Sequence, residues 1–150
     1  MNNSQPRTGH GPDNPNGEAG AIVSRLHPLR HYVWGDQCDG WNFVDQPGLS
    51  VKMERMPPHT AEQEHFHERA RQFFFTLKGV ATFVFTGWAP GTVPATAWEE
   101  GRIEVRAQHG LEIPPQLRHR ILNESEEDLE FILCSHPSTK GDRTNINESI

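Results

Sequence analysis

The sequence predicts an all-β protein, and three features support this fold class. Leu49–Met56 alternates its side chains in the manner of a strand. Farther along the chain, aromatic residues surround two histidines spaced two apart, and aromatic residues favour strands. Gln72–Leu77 and Val80–Thr86 are two further alternating runs, and the tight Lys78-Gly79 turn between them is typical of consecutive strands.

The length of the chain suits one domain with a polar tail at each end. A chain of 150 residues can bury a substantial hydrophobic core. Residues 1–20 are rich in glycine, proline and asparagine and nearly free of apolar residues, so they predict a disordered tail. Residues 138–150 are polar as well and predict a second tail, which leaves residues 21–137 as the folded domain.

Composition and charge argue against two classes of partner. The net charge of −6 is unsuited to nucleic acid, because binding phosphates requires a basic surface. The sequence has no run of about 18 apolar residues, the length that a membrane-spanning helix needs, and no secretory signal at its start. Cys38 and Cys134 are far apart, which favours free thiols in a reducing cytoplasm.

The other strands and turns follow from the same patterning. Ala21–Leu26 is a candidate first strand. Residues 31–43 combine aromatic and turn residues, which predicts a loop or hairpin packed as a lid over one side of the fold. The remaining predicted elements are a hairpin over Ala97–Val105 turning at Glu99-Glu100-Gly101, and strands at Leu111–Ile113, Arg118–Asn123 and Leu129–Ser135.

The strand after the histidine pair is apolar on both faces. Alternation places Gln72, Phe74 and Thr76 on one face, and Phe73, Phe75 and Leu77 on the other. Such a strand is not suited to water on either side. One face fills the core, and the other must be covered by a second sheet or a partner subunit. We therefore expect a homodimer.

His65 and His67 are candidate metal ligands. On a strand, their spacing aims both imidazoles from one face, about 7 Å apart along the backbone. On a helix the two rings would diverge. The alternative is a solvated or hydrogen-bonded pair that holds no metal. His119 follows the Pro114-Pro115 corner and is a third candidate, since a sheet fold can bring it back beside the pair.

Two motifs in this region resemble those of the cupin superfamily. The positions that match the first motif are His65, His67, Gln72 and Gly79, and those that match the second are Pro114, His119 and Asn123. The resemblance spans roughly residues 48–136. It implies a double-stranded β-helix, or jelly-roll barrel. It also implies one divalent metal ion in the barrel mouth, held by His65, His67, His119 and Gln72, and it points to a homodimer.

Four positions depart from the cupin motifs. His59 replaces the leading glycine of the first motif, and Gln108 and Gln116 replace both glycines of the second. Gln72 stands where the family usually supplies a carboxylate ligand. If its amide oxygen takes that place, the ligands are neutral and the ion keeps its full charge; Gln72 could equally orient a ligand histidine. Three imidazoles suit iron, nickel, manganese, copper or zinc.

Charged residues near the histidines are predicted to face elsewhere. By alternation, Glu64, Glu68, Arg118 and Arg120 point away from the proposed ion. Among the remaining histidines, His59 is the one expected nearest the barrel mouth. No residue is identified as a catalytic acid or base.

The sequence therefore predicts a metal-binding jelly roll and leaves three functions open. The favoured one is a metal-dependent enzyme acting on a small organic molecule, as an oxygenase, isomerase or lyase. The second is a non-catalytic binding or sensor protein for a small, carbohydrate-like molecule. In the third, the metal only ties strands together, but a purely structural zinc site normally has four protein ligands.

Overall fold

The computed structural model describes residue 20, residues 22–91 and residues 101–147. These residues form twelve strands, and none of them belongs to a helix of the length and hydrophobicity that crossing a membrane requires. The strands are β1 (Arg30–Trp34), β2 (Cys38–Gln46), β3 (Leu49–Met56), β4 (Thr60–Ala61), β5 (His65–His67), β6 (Arg71–Lys78), β7 (Val80–Trp88), β8 (Gly101–Arg106), β9 (Gly110–Ile113), β10 (Leu117–Asn123), β11 (Leu129–His136) and β12 (Arg143–Asn145).

Two antiparallel sheets build the fold. The first sheet has the order β1-β2-β3-β11-β6-β9, and the second has the order β12-β5-β10-β7-β8, with β4 also paired to β10. Neighbours such as β3 and β11 are far apart in sequence, so the chain repeatedly crosses between positions in the sheets. This arrangement confirms the predicted all-β double-stranded β-helix.

The hydrophobic core lies where the inner faces of the two sheets meet. Phe74 and Phe131 come from the first sheet, and Phe83 comes from the second. The rings of Phe74 and Phe83 pack edge to face with their centroids 4.9 Å apart, a favoured aromatic geometry. Burial in β6 alternates as the sequence predicts, because Gln72 and Phe74 are buried while Phe73 is 43% exposed.

Most predicted elements lie where the sequence places them. β3 spans the predicted Leu49–Met56, and residues 31–43 form the hairpin of β1 and β2. The predicted strands before and after His119 correspond to β9, β10 and β11. The predicted turn at Glu99-Glu100-Gly101 lies mostly outside the described residues, and its described end, Gly101, begins β8.

The predicted first strand, Ala21–Leu26, is wrong. Ile22–Leu26 contains no strand in the structure, and Ile22 and Leu26 are 55% and 85% exposed. Side-chain contacts hold this segment instead of a sheet ladder. Arg25 lies 4.4 Å from the ring centroid of Trp41 and pairs with Glu130 at 3.0 Å.

The three residues that replace motif glycines adopt the backbone conformation that favours glycine. His59, Gln108 and Gln116 have φ angles of 58°, 69° and 71°. Residues with a Cβ adopt this left-handed region at a cost of roughly 1–2 kcal/mol. The turns are therefore kept although the glycines are not, which explains how the motifs tolerate these departures.

The C-terminal part contributes a strand beside the histidines. The sequence assigns residues 138–150 to a polar tail, yet within that range β12 pairs with β5, matching Arg143 with His67 and Asn145 with His65. The division into tails and a domain of residues 21–137 stays a prediction.

Candidate metal centre

Three histidines converge at one point inside the barrel. His65 and His67 share a face of β5, and His119 on β10 lies directly opposite His65 in the strand register. One ring nitrogen from each lies within 4.8 Å of the others, and all three side chains are buried. The structure therefore brings together the three histidines that the sequence singled out.

The hydrogen bonds of the rings fix which nitrogen faces the centre of the cluster. Nδ1 of His65, His67 and His119 lies 3.0, 2.9 and 2.8 Å from the main-chain oxygens of Gln63, Asp142 and Leu117. A carbonyl oxygen can only accept, so each Nδ1 carries the proton and each Nε2 keeps a free lone pair. Nε2 of His119 is buried without a hydrogen-bond partner among the described residues. Such an orphaned acceptor fits a metal ligand.

Burial keeps these imidazoles neutral. It lowers the pKa of His65 to about 2, assisted by repulsion from His119, and it lowers the pKa of His119 to about 4. Burial also lowers the pKa of His67, although the hydrogen bond to Asp142 opposes that change. Neutral imidazole is the form that binds metal, so the cluster needs no proton removed at neutral pH.

Gln72 lies on the wall of the same cavity as His65 and His67. Its Nε2 donates to Oγ of Ser135 at 3.2 Å, and this bond identifies the other amide atom as the free oxygen. That Oε1 is buried and has no hydrogen-bond partner in the described part of the chain. The amide thus offers an oxygen to the cavity, and direct ligation by Gln72 stays a prediction.

His65 and His67 border a cavity of about 470 Å³. Its lining includes the apolar residues Phe74, Phe131 and Leu133 and also four charged groups. These are Lys52, Glu54, Glu62 and Arg143. The sequence analysis did not assign any of the four to the site.

Glu62 and Arg143 form a pair next to His65. Glu62 Oε2 lies 3.3 Å from an Arg143 guanidinium nitrogen, and Glu62 Oε1 lies 3.6 Å from Nδ1 of His65. Burial raises the pKa of Glu62 to about 7 against the opposing charge of Arg143. The pair places a carboxylate behind the ring of a candidate ligand, where it can orient the imidazole.

Glu54 is a buried carboxyl held by a tyrosine. The hydroxyl of Tyr32 donates to Oε1 of Glu54 at 2.6 Å. Burial raises the pKa of Glu54, which the hydrogen bond from Tyr32 opposes, and burial also raises the pKa of Tyr32 above its usual range. The tyrosine therefore remains a donor, and Glu54 is a cavity carboxyl whose protonated form burial favours.

Gly40 makes the contact between Tyr32 and Glu54 possible. Tyr32, Gly40 and Glu54 occupy one row across β1, β2 and β3, so the tyrosine ring must pass over Gly40 to reach the carboxyl. A Cβ at position 40 would overlap that ring. The sequence alone does not reveal this contact, because only the strand register shows that the three residues share a row.

Replacing Gly40 by alanine is expected to displace Tyr32 and lower the free energy of unfolding by about 2 kcal/mol, since a hydrogen bond to a buried acid is lost. Chemical denaturation measures this change. Gly48→Ala is the matched control, because a Cβ there meets no atom within 4 Å. Equal stabilities of the two variants would contradict the assigned role of Gly40.

Asp142 anchors the loop that follows His67. Its carboxylate accepts from the main-chain N–H groups of Glu68, Arg69 and Ala70 at 2.9 to 3.3 Å, while its own carbonyl oxygen accepts from His67. Burial would raise the pKa of Asp142, but these hydrogen bonds outweigh it and the pKa is lowered. Asp142 is thus a charged group that sequence patterning missed.

Other residues near the motif lie away from the cavity. Glu64 pairs with Arg118 at 3.5 Å, and neither borders the cavity, as alternation predicts. His59 was expected nearest the mouth, and this prediction is wrong. It is exposed on the surface, where Nε2 lies 2.7 Å from Glu126. Trp34, in the predicted lid, packs against the core and also borders the cavity.

Comparison with known proteins identifies a family model and several similar folds. The model described as a cupin domain matches residues 52–135. A search of curated proteins found no match. CapF, a capsular polysaccharide assembling protein from Staphylococcus aureus, has a TM-score of 0.65 at 19% identity; the similarity covers 81% of this chain and 35% of CapF. The chain thus spans about a third of the length of CapF.

Two further structures have the same fold. An uncharacterized protein with a double-stranded β-helix domain from Klebsiella pneumoniae has a TM-score of 0.58 at 13% identity, covering 78% of this chain and 92% of that protein. An oxalate oxidase in complex with the substrate analogue glycolate has a TM-score of 0.54 at 19% identity, covering 66% of this chain and 46% of the oxidase. At these identities the likeness concerns the fold alone.

Proposed function

The chain belongs to the cupin domain family, and we propose that it is a metal-dependent enzyme acting on a small organic molecule, as an oxygenase or as an isomerase or lyase. The observation that supports this proposal most is the free, buried Nε2 of His119 beside His65 and His67, two residues that border a cavity of about 470 Å³. A purely structural cluster would not require a cavity of this size.

The three histidines, with Gln72 as a fourth candidate, would hold one divalent ion of iron, nickel, manganese, copper or zinc. Such an ion supplies a Lewis acid to the cavity. Three or four protein ligands leave a coordination position for a substrate or water in most of these geometries. Main-chain carbonyls hold the far side of each ring and fix the direction of the Nε2 lone pairs.

The protein's own groups would handle protons and water. Glu54 can take or return a proton at the carboxylate oxygen that is not bonded to Tyr32. The apolar wall of Phe74, Phe131 and Leu133 reduces the water around that carboxyl. This gives the proposed enzyme the acid–base group that sequence reasoning did not find.

The alternative function is a non-catalytic binding protein for a carbohydrate-like molecule. Tyr32 and Trp34 border the cavity and favour it, because aromatic faces with polar edges suit ligands of mixed polarity. The two functions differ in turnover, and a binding protein would retain its ligand unchanged.

Metal analysis of the protein purified without added metal tests the proposal. We expect about one transition-metal ion per chain, and then oxygen uptake or product formation with a panel of diketones, flavonoids and 2-oxo acids. Absence of any bound metal, both as purified and after incubation with each candidate ion, would contradict the proposed function. Metal with ligand binding but no turnover would favour the binding protein.

We further propose that the protein is a homodimer in the cytoplasm. Two apolar rows cross the outer face of the first sheet, Trp41-Met53-Ile132-Phe75 and Val44-Val51-Cys134-Phe73. Trp41 and Met53 are already buried within the chain, whereas Phe73 is 43% exposed and the other five side chains are half-buried. A second copy of the chain is suited to cover this exposed part of the face. The unpaired thiols of Cys38 and Cys134 support the reducing compartment.

Replacing Phe73 by glutamate is expected to convert the dimer into a monomer, because it places a charge within the apolar rows. Light scattering coupled to gel filtration measures the mass. Ile103→Glu is the matched control, since Ile103 is similarly exposed at 38% but lies on β8 of the other sheet. A monomeric wild-type protein would refute the proposed dimer.

A further inference from the structure

Lys52 is the positively charged residue of the cavity lining that forms no salt bridge within the described part of the chain. Of the four charged groups that border the cavity, Glu62 pairs with Arg143 at 3.3 Å, and Glu54 accepts from Tyr32. Lys52 forms no ion pair within the described ranges. Its ammonium is thus available to a bound molecule.

The fold directs Lys52 into the cavity. Lys52 and Glu54 are two apart on β3 and share its inner face, and Lys52 is matched in the register with Leu133, which also borders the cavity. The ammonium lies 5.5 Å from the centroid of the Tyr32 ring, the ring that passes over Gly40. The lysine therefore lies on the same face as Glu54, the buried carboxyl that accepts from Tyr32.

An ion held by the histidine cluster would add its positive charge to that of Lys52. Each of the three rings donates from Nδ1 to a main-chain oxygen and presents an uncharged Nε2, and Gln72 carries no charge, so an ion held there would keep its full positive charge. Glu62 is balanced by Arg143. An ion together with Lys52 would leave the cavity positive, and an anionic molecule suits it.

We propose that the cavity binds a small organic carboxylate and that the ammonium of Lys52 holds its carboxylate group. Binding of the rest of the ligand at the ion rests on the proposed function. The contact between the ligand carboxylate and Lys52 does not require an ion. A carboxylate fits better than a phosphate, because Glu54 and Glu62 in the same wall repel a doubly charged anion. The apolar residues Phe74, Phe131 and Leu133 suit the carbon part of such a molecule.

Titration with glycolate tests this inference, with ethylene glycol as the uncharged analogue and inorganic phosphate as the competing anion. Binding is followed by amide chemical shifts, in metal-free protein and in zinc-loaded protein. We expect Lys52→Met to weaken glycolate binding about tenfold or more in both forms, because a charge-assisted hydrogen bond is lost. Lys52→Arg keeps the charge and should retain most of the affinity. Lys78→Met is the matched control, since Lys78 is exposed at the end of β6.

Several outcomes would overturn the inference: no glycolate binding in either form, equal binding by Lys52→Met and wild type, equal binding of ethylene glycol, or tighter binding of phosphate. Zinc content measured on the same samples separates the two proposals. Lysine-dependent glycolate binding in a protein that takes up no metal would refute the proposed enzyme and support the carboxylate site. Zinc binding together with glycolate binding that does not depend on Lys52 would support the metal centre and refute the carboxylate site.

Discussion

Zinc should bind the His67→Ala variant more than about a hundredfold more weakly than it binds the wild-type chain. Loss of a group that only orients a ligand typically costs 10- to about 100-fold in metal affinity, and loss of a ligand itself costs more. His67 is one of three histidines whose ring nitrogens lie within 4.8 Å of one another, so two imidazoles remain in the variant. Competition with a chromophoric chelator measures the affinity.

His59→Ala is the matched control for this experiment. His59 is an exposed histidine that pairs with Glu126 and does not border the cavity. Its loss should leave zinc affinity unchanged. Circular dichroism should show that both variants keep their strands. A His67→Ala variant that binds zinc as tightly as the wild type would remove His67 from the metal centre.

Replacing Asp142 by alanine is expected to lower the free energy of unfolding by about 3 kcal/mol or more. The carboxylate accepts from three main-chain N–H groups, a buried one of Ala70 and two partly buried ones of Glu68 and Arg69, and a hydrogen bond to a charged group contributes about 1.5–3 kcal/mol. Denaturant unfolding measures the change. Zinc affinity should fall as well, since the loop that positions His67 loses its anchor.

Two variants calibrate the result for Asp142. Asp142→Asn keeps one acceptor oxygen and should lose less stability than Asp142→Ala. Asp36→Ala removes an exposed carboxylate in the turn between β1 and β2, and should change stability by less than about 0.5 kcal/mol. If Asp142→Ala unfolded as easily as Asp36→Ala, the carboxylate would not anchor the loop.

Two of the three candidate metal ligands could be predicted from the sequence because their geometry is local. Two residues spaced two apart on a strand necessarily share a face, so His65 and His67 needed only a strand around them. A sheet fold made His119 a candidate, but its place beside the pair was implied only by the cupin resemblance, since nothing in the spacing of β5 and β10 fixes their pairing. The structure then places His119 opposite His65 in register.

The charged residues that line the cavity could be predicted only in part from the sequence. Lys52 and Glu54 alternate with Val51 and Met53, so the sequence gives their common face but not whether that face points inward. Charged residues are rarely buried, which makes the inward choice the less expected one. The position of Tyr32 in the cavity lining could not be predicted, because it depends on the row through Gly40 that only the strand register defines.

Both ends of the described chain illustrate the limits of local pattern. Ile22–Leu26 is apolar enough to suggest a strand, but no strand of the first sheet pairs with it. Conversely, Arg143–Asn145 is polar and short, yet it pairs with β5. One edge of β5 pairs with β10, and the opposite edge is free to accept this segment. The availability of a pairing strand, and not composition, decides whether each of these two segments forms a strand.

X-ray absorption at the zinc edge of the zinc-loaded chain tests the metal centre most directly. The spectrum should contain the scattering pattern of three imidazole rings with zinc–nitrogen distances of about 2.0–2.1 Å, and oxygen in the remaining positions. Fewer than three imidazoles, or a sulfur neighbour from Cys38 or Cys134, would contradict a centre built from His65, His67 and His119.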